Sequence, residues 1–470
     1  MGSIVRCGLG ILILLGAAAL PAKAQEDSAP PKPTVRGYSG LITGATQEQD
    51  LQPAPALNPD RTSLTGAQEM TLGSPELRHS YWVPGFRVQN NFASHDPNIG
   101  NSGWYSATYF LGDFSLRESW SHSELNINYS GGGSVSSARD FSGNAYQQVA
   151  ILHTLRWKRW QLRFLDQFSR LPESPFGLGG VSSISTVGVG GTLGEGLPGL
   201  QTNYVPNQSI FTATGPRLSN GFVAQGEYFF SARSSVTAVA SIGILHFTRG
   251  NSIDTQDGIL SLGYNYQATP RDTLGLVYRF TAYRYPGNPQ ALDNQAAQVA
   301  YGRRITGRLA IQLFAGPDLT TFRQPKDSSQ ISVSAGASAK YALRRTELRL
   351  TYNRGLSGGS GLLTGTTLDE IQAQLSHQIT RRWQTNTSGG YARNHQTIGI
   401  ANISLSQDIT SLFVSGGLSR ALDRTASFSV NYTYQHQDHP LCGFTGCGTS
   451  YDQHQMWVGF DWRARPFVLR

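Results

Sequence analysis

A short basic turn returns at intervals of about 37 residues through the second half of this chain, and little else is compatible with that rhythm. The turns are Ala232-Arg233-Ser234, Thr269-Pro270-Arg271, Thr306-Gly307-Arg308, Leu343-Arg344-Arg345 and Thr380-Arg381-Arg382. Between them apolar and polar residues alternate. Leu348, Leu350 and Tyr352 interleave with Glu347, Arg349, Thr351 and Asn353; Ile371, Ala373 and Leu375 interleave with Glu370, Gln372 and Gln374. A period of two is the mark of a strand with one apolar and one polar face. The interval holds two membrane-spanning strands of roughly 10 residues, a tight turn at one end and a longer loop at the other. The expectation is an all-β fold: a transmembrane antiparallel up-and-down β-barrel, apolar towards lipid and polar towards a lumen.

A soluble β-sandwich also alternates, but its turns come every 8–12 residues or so, and these hairpins are longer and more even. Charged residues make up 14% of the chain, where about 25% is usual for a soluble domain. Trp157, Trp160, Phe230, Tyr266, Tyr341 and Trp383 stand near the turns, as an interfacial aromatic girdle requires.

Residues 1–24 read as a secretory signal peptide: Arg6, an apolar run from Leu9 to Leu20, then Ala22-Lys23-Ala24. That run is too short to span a bilayer as a helix, which takes about 20 apolar residues. Export without a later apolar helix points to the cell outer membrane of a two-membrane bacterium. Residues 25–84 are rich in Pro, Gln, Ser and Thr and lack periodicity, so the expectation is a disordered Pro-rich periplasmic arm. Residues 26–84 are a spacer or a docking segment for a periplasmic partner. Barrel residues then run over 85–470. Expected strands include Tyr105 to Trp120, Ala145 to Trp157, Trp160 to Leu171 and Arg217 to Phe230; 394–411 stays open between loop and strand. The short turns give roughly 16 strands, and the runs near Phe86 and after Asp452 bring the count to about 18, with 16 the alternative. A Gly-rich stretch, 172–216, interrupts the array as the third external loop; a loop that long points to function.

The terminal strand, with Val458, Phe460, Trp462 and then Phe467, resembles the closing strand of outer-membrane proteins, whose alternating aromatics are read by the barrel-assembly machinery. Here Pro466 intervenes and Val468, Leu469 and Arg470 follow. Tyr301 to Arg308, Ala315-Gly316-Pro317 and Phe460 to Pro466 resemble uncharacterised barrels of acidobacterial type, a resemblance that brings no substrate with it. TonB-dependent transporters are similar in their barrel but carry a folded plug of well over a hundred residues, and this arm is too short to form one. The loop order is similar to that of general porins, whose third external loop folds into the lumen. By that resemblance Glu173 and Glu195, the only acids of the loop, are its constriction candidates; porin constrictions carry more acids, so charge selectivity stays open.

Lumen-parity charges are Glu124, Arg279, Lys340, Glu347, Arg349, Glu370, Asp461 and Arg463, which in a pore set the field for ions. Cys442 and Cys447, both in the last external loop, read as a disulfide in an oxidising compartment. His436, His439 and His454 are near enough in sequence to raise a metal site, but the disulfide is the stronger reading and no metal or cofactor is expected. His122, His153, His246 and His377 stand in no nucleophile motif, so no enzyme is expected. The basic excess sits at the turns, without an aromatic-interleaved groove, which excludes nucleic acid. Outer-membrane lipids and lipopolysaccharide are the expected surroundings. The expected function is a porin-like channel for passive diffusion of small hydrophilic solutes, narrowed by the loop 172–216. The alternatives are a barrel for secretion or exopolysaccharide export gated by a periplasmic partner, and a structural or adhesive surface barrel.

Overall fold

The structure is a computed structural model, and it describes residues 63–68, 80–94, 104–137, 145–171, 204, 217–248, 253–323, 328–359, 363–396, 408–438 and 451–469. Eighteen strands follow one another round a closed wall. They are β1 (Tyr81–Ser94), β2 (Trp104–Ser119), β3 (Ser123–Ser136), β4 (Ala145–Arg156), β5 (Trp160–Leu171) and β6 (Arg217–Phe229). Then come β7 (Ser234–Phe247), β8 (Thr255–Gln267), β9 (Asp272–Arg284), β10 (Ala291–Thr306), β11 (Leu309–Phe322) and β12 (Ser328–Ala342). The last are β13 (Thr346–Ser357), β14 (Thr366–Gln378), β15 (Trp383–Gln396), β16 (Asp408–Ala421), β17 (Ala426–Asp438) and β18 (Tyr451–Arg463), with a short β19 (Phe467–Val468) beyond. Each strand pairs antiparallel with its neighbours, and β1 pairs with β18, which closes the wall; the ladder between β12 and β13 runs from Ala335↔Arg354 to Ala342↔Glu347.

The basic turns have a shared local design. The backbone N–H of Arg233, Arg271, Arg308 and Arg382 donates to the hydroxyl two residues earlier, on Ser231, Thr269, Thr306 and Thr380, at 3.1–3.2 Å. That hydroxyl closes the turn without a second strand's help. Each hairpin is then tied to the next: carbonyls of His122, Arg159, Arg233, Arg271, Arg308, Arg345, Arg382 and Thr425 each accept an N–H from the strand that follows their hairpin. The even spacing seen in the sequence is therefore the spacing of one repeated cross-hairpin bond.

Parity sets the two faces. On β8, Thr255, Asp257, Ile259, Ser261 and Asn265 are enclosed, while Leu260, Leu262 and Tyr264 are exposed. On β13, Leu348 and Leu350 are exposed on the outside. A closed wall that is apolar outside pairs its backbone groups from strand to strand, and an even-numbered barrel of this kind crosses a bacterial outer membrane. The seam is reinforced on that outer face. Trp82 stacks on Phe467 at 4.5 Å and Phe86 on Trp462 at 5.4 Å between ring centroids. Val458, Phe460 and Trp462 all point outwards from β18. Past Pro466, β19 continues the pairing against Tyr81 and Trp82, with the Leu469 N–H donating to the Ser80 carbonyl at 2.9 Å.

Three expectations shift. The wall begins at Tyr81, inside the span assigned to the arm, because Tyr81 and Trp82 find partners on β19. The open stretch 394–411 is strand at both ends: β15 runs to Gln396 and β16 starts at Asp408. The third correction is larger. Residues 63–68, expected in a disordered arm, lie inside the barrel, with Ser63, Leu64, Thr65, Ala67 and Gln68 all buried. The disordered reading weighed the arm's composition and lack of periodicity, and a short segment that docks on a preformed wall needs neither.

Candidate functional site

The lumen is the part of the molecule where polar groups converge. All eight charges singled out by parity point into it, but they are spread round the wall rather than gathered at one point. Glu124 on β3 lies between Arg117 at 2.7 Å and Arg156 at 3.4 Å. Asp461 on β18 binds Arg87 of β1 across the seam, and Asp113 of β2 stands 3.6 Å from the same guanidinium. Arg463 follows Asp461 on the same face, against Gly85. Lys340 on β12 and Glu347 on β13 form an ion pair at 3.0 Å. Arg349 is opposite Lys340 in register, and Glu370 is buried on β14. Arg279 on β9 lies 5.9 Å from the ring of Tyr204, in cation–π range. Glu173, Glu195, Cys442 and Cys447 lie outside the described residues.

The His candidates are engaged locally. His122, His153 and His377 meet the hydroxyls of Ser121, Ser123 and Thr346 at 2.8–2.9 Å, and His246 meets Asp254 at 2.5 Å. His436 is held by Asp452 at 2.8 Å and Asp438 at 3.3 Å. Among the described residues, no group of three or more His, Cys, Asp or Glu side chains is placed to hold a metal ion.

What parity did not reveal is that part of the inner face is apolar and covered. Leu152, Leu165 and Val223 face inwards and stand directly opposite one another across β4, β5 and β6. Val239 and Ile259 extend the patch to β7 and β8, and Ala67 and Tyr204 pack on it. The Tyr204 hydroxyl lies 3.2 Å from Ser261 Oγ. Tyr204 belongs to the Gly-rich stretch 172–216, so at least this residue of it is inside the barrel. Residues 63–68 cross the same wall. The Thr65 N–H donates to Asn265 Oδ1 at 3.0 Å and the Ala67 N–H to Gln225 Oε1 at 2.9 Å. Gln225 Nε2 donates to Ser63 Oγ at 3.2 Å, Gln312 Nε2 to the Leu64 carbonyl at 3.3 Å, and Arg163 to Gln68. Gly275 makes room for the segment, since a Cβ there would come within 2.7 Å of Thr65 Cγ2.

At the loop end, the β13–β14 connection reaches towards β9 and β10. The Tyr283 hydroxyl donates to the Leu356 carbonyl at 3.3 Å, and Thr364 donates to Gln290. Gly365, at φ +68°, turns the chain so that Leu363 and Thr364 are buried, in a conformation a side chain would strain. Burial pushes the Tyr285 hydroxyl well above its ordinary pKa in this mouth. At this end the β13–β14 connection thus folds over the wall as far as β9 and β10.

One signal in the sequence bore on the seam. Arg87 shares the parity of Gln89 and Asn91, opposite to Phe86 and Phe92, so a buried basic residue at the seam was legible there.

No family model matches the chain, and no curated protein matches it. Among solved structures, the outer membrane protein OpdK from Pseudomonas aeruginosa is similar at 11% identity, with 82% of this chain and 99% of that one covered and a TM-score of 0.41. OccK2 (OpdF) from Pseudomonas aeruginosa is similar at 11% identity over 82% of this chain and 98% of that one, with a TM-score of 0.42. OccAB3 from Acinetobacter baumannii is similar at 9% identity over 82% of this chain and 99% of that one, with a TM-score of 0.41.

Proposed function

We propose that the chain is a porin-like channel for passive diffusion of small hydrophilic solutes, narrowed by the Gly-rich loop 172–216. The observation that carries this reading is a closed wall of eighteen strands lined inside with Ser, Thr, Asn and Gln. A ring of that many strands is wider than its own side chains fill, so it encloses an aqueous path. Passage then depends on the free cross-section and on lumenal charges such as Lys340, Glu347 and Arg349. The position of Tyr204 on the inner wall supports the narrowing by its loop. The test is single-channel conductance of the refolded protein in a planar bilayer, with and without residues 175–214. Stable steps that enlarge on deletion are expected. Silence from both forms, with folding confirmed by heat-modifiable migration in a gel, overturns the reading.

A second reading is favoured by residues 63–68 inside the lumen. Here the barrel serves secretion or polysaccharide export and stays shut until a periplasmic partner draws the arm out. On this reading the intact chain is silent, and conductance begins when a partner captured through residues 26–84 is added.

A further inference from the structure

The contacts of residues 63–68 have a chemistry of their own. Three amide side chains, from three different strands, each bond a peptide group of the segment: Asn265 of β8 takes the Thr65 N–H, Gln225 of β6 the Ala67 N–H, and Gln312 of β11 gives to the Leu64 carbonyl. An amide side chain offers one acceptor and one donor group, the same pair a backbone offers, so it reads peptide rather than side chain. Asn265 is held for that task. Its Nδ2 donates to Ser235 Oγ at 3.3 Å and Thr237 Oγ1 at 3.0 Å, which leaves Oδ1 facing Thr65. The fit is close as well as polar. A Cβ on Gly66 would come within 2.6 Å of Ser63 Oγ and 2.7 Å of Gln225 Nε2, so a larger residue there would push these two side chains aside. Beside these donors and acceptors lies the patch formed by Leu152, Leu165, Val223, Val239 and Ile259, an apolar surface on the lumenal face against which Ala67 packs. Water alone does not call for such a surface; a ligand with small apolar side chains does.

We propose that the lumen carries a binding site for a short, uncharged peptide, filled in this chain by its own residues 63–68. The site recognises backbone amides through Gln225, Asn265 and Gln312, and small side chains through the apolar patch. The arm supplies the ligand in cis, and a free peptide of the same kind is the ligand in trans. Binding of this kind does not depend on the lumen conducting, so it stands or falls apart from the channel reading.

The test uses the full chain refolded in detergent and the capped peptide Ser-Leu-Thr-Gly-Ala-Gln, with binding read by saturation-transfer NMR. A tethered segment competes at an effective concentration on the order of millimolar, so the free peptide enters the intact chain poorly. In the variant Leu64→Asp/Ala67→Asp the chain's own segment is driven from the wall, since Ala67 packs on the apolar patch and Leu64 lies beside Gly275. The peptide is expected to bind this variant at least about tenfold more tightly than the intact chain. Adding Gln225→Ala and Asn265→Ala to the variant is expected to abolish binding. Equal binding to intact and undocked chains, no binding to the undocked chain, or equal binding of a scrambled peptide overturns the proposal. Should the variant fail to fold, a photo-crosslinking amino acid in place of Ala67 in the otherwise intact chain decides the same point. Cross-links to peptides of β4–β8 support the site, and their absence overturns it.

Discussion

From β4 to β9 the lumenal face is closed over, whereas from β12 to β15 much of it stays wet. In the first region Leu152, Leu165, Val223, Val239 and Ile259 carry Ala67 and Tyr204, and Gln225 and Asn265 are buried against residues 63–68. In the second, Ser338, Lys340, Arg349, Gln372 and Gln374 remain half-buried, and the Glu347 side chain is 39% exposed. The outer faces do not differ in this way: Leu260 and Leu262 on β8 and Leu348 and Leu350 on β13 are all exposed apolar residues. Alternation fixes which side chains point inwards, but what comes to rest on them differs from one side of the wall to the other. Between these two arcs the inner face therefore changes character, from a seat for the chain's own segments to a lining that is in part open to solvent.

The largest effect should come from placing a charge in the seat. Val223→Asp buries a carboxylate among Leu165, Ala67 and Tyr204, and is expected to destabilise the barrel by about 3–5 kcal/mol, as uncompensated buried charges do. Gln374→Glu adds the same charge to the wet wall and should cost within about 0.5 kcal/mol. Urea titration of the refolded variants measures both, and equal losses would break the comparison.

Outward positions should not register which surface lies behind them. Leu260→Arg on β8 and Leu350→Arg on β13 both put a cation near mid-strand towards lipid, at an expected cost of about 2–4 kcal/mol each. Equilibrium unfolding into lipid vesicles is the measurement. A much lower cost at one position would show that the two regions differ outside as well as in.

A third pair separates the seat from the lining by size alone. Gly275→Val brings a side chain against Thr65 and Leu64, whereas at Gly355 the nearest atom to a new Cβ is Ser334 Cβ at 4.0 Å. Gly275→Val should lift residues 63–68 off the wall and raise single-channel conductance, at a stability cost of about 1–3 kcal/mol, the range for overpacking. Gly355→Val should leave conductance as it was. Equal conductance in the two variants would mean that residues 63–68 do not obstruct the path.

The wall was legible because its signal is repeated. Thr306-Gly307-Arg308 and its counterparts mark hairpins at even spacing, and Leu348, Leu350, Ile371 and Leu375 mark the lipid face, so strand number and parity followed from local residues alone. The same parity puts the eight charges on the face opposite the lipid-facing residues. The seat was not legible, because it depends on contacts far apart in sequence. Leu64 meets Gln312, and nothing near either residue announces the other. Leu152, Leu165 and Val223 occupy lumenal positions on three successive strands; they become a patch only when the three strands are aligned. Residues 63–68 carry no strand period; they make one turn, with the Gly66 N–H on the Ser63 carbonyl, and are held by contacts from distant strands.

The smallest structural effect should come from the wet wall's own ion pair. Lys340 and Glu347 are 3.0 Å apart, with side chains 22% and 39% exposed. Water screens such a pair, so Lys340→Gln should change stability by about 1 kcal/mol or less. Its effect belongs in the ion field instead. With the cation gone and Glu347 left facing the lumen, the reversal potential in a salt gradient should move towards cation preference. Because this wall is wet, mobile ions should screen the change: the Debye length falls from about 10 Å at 0.1 M salt to about 3 Å at 1 M. The shift should therefore be clear in dilute salt and nearly gone in concentrated salt. A shift of equal size in both would place Lys340 in an ion-poor enclosure like that around Val223, and the distinction between the two walls would fall.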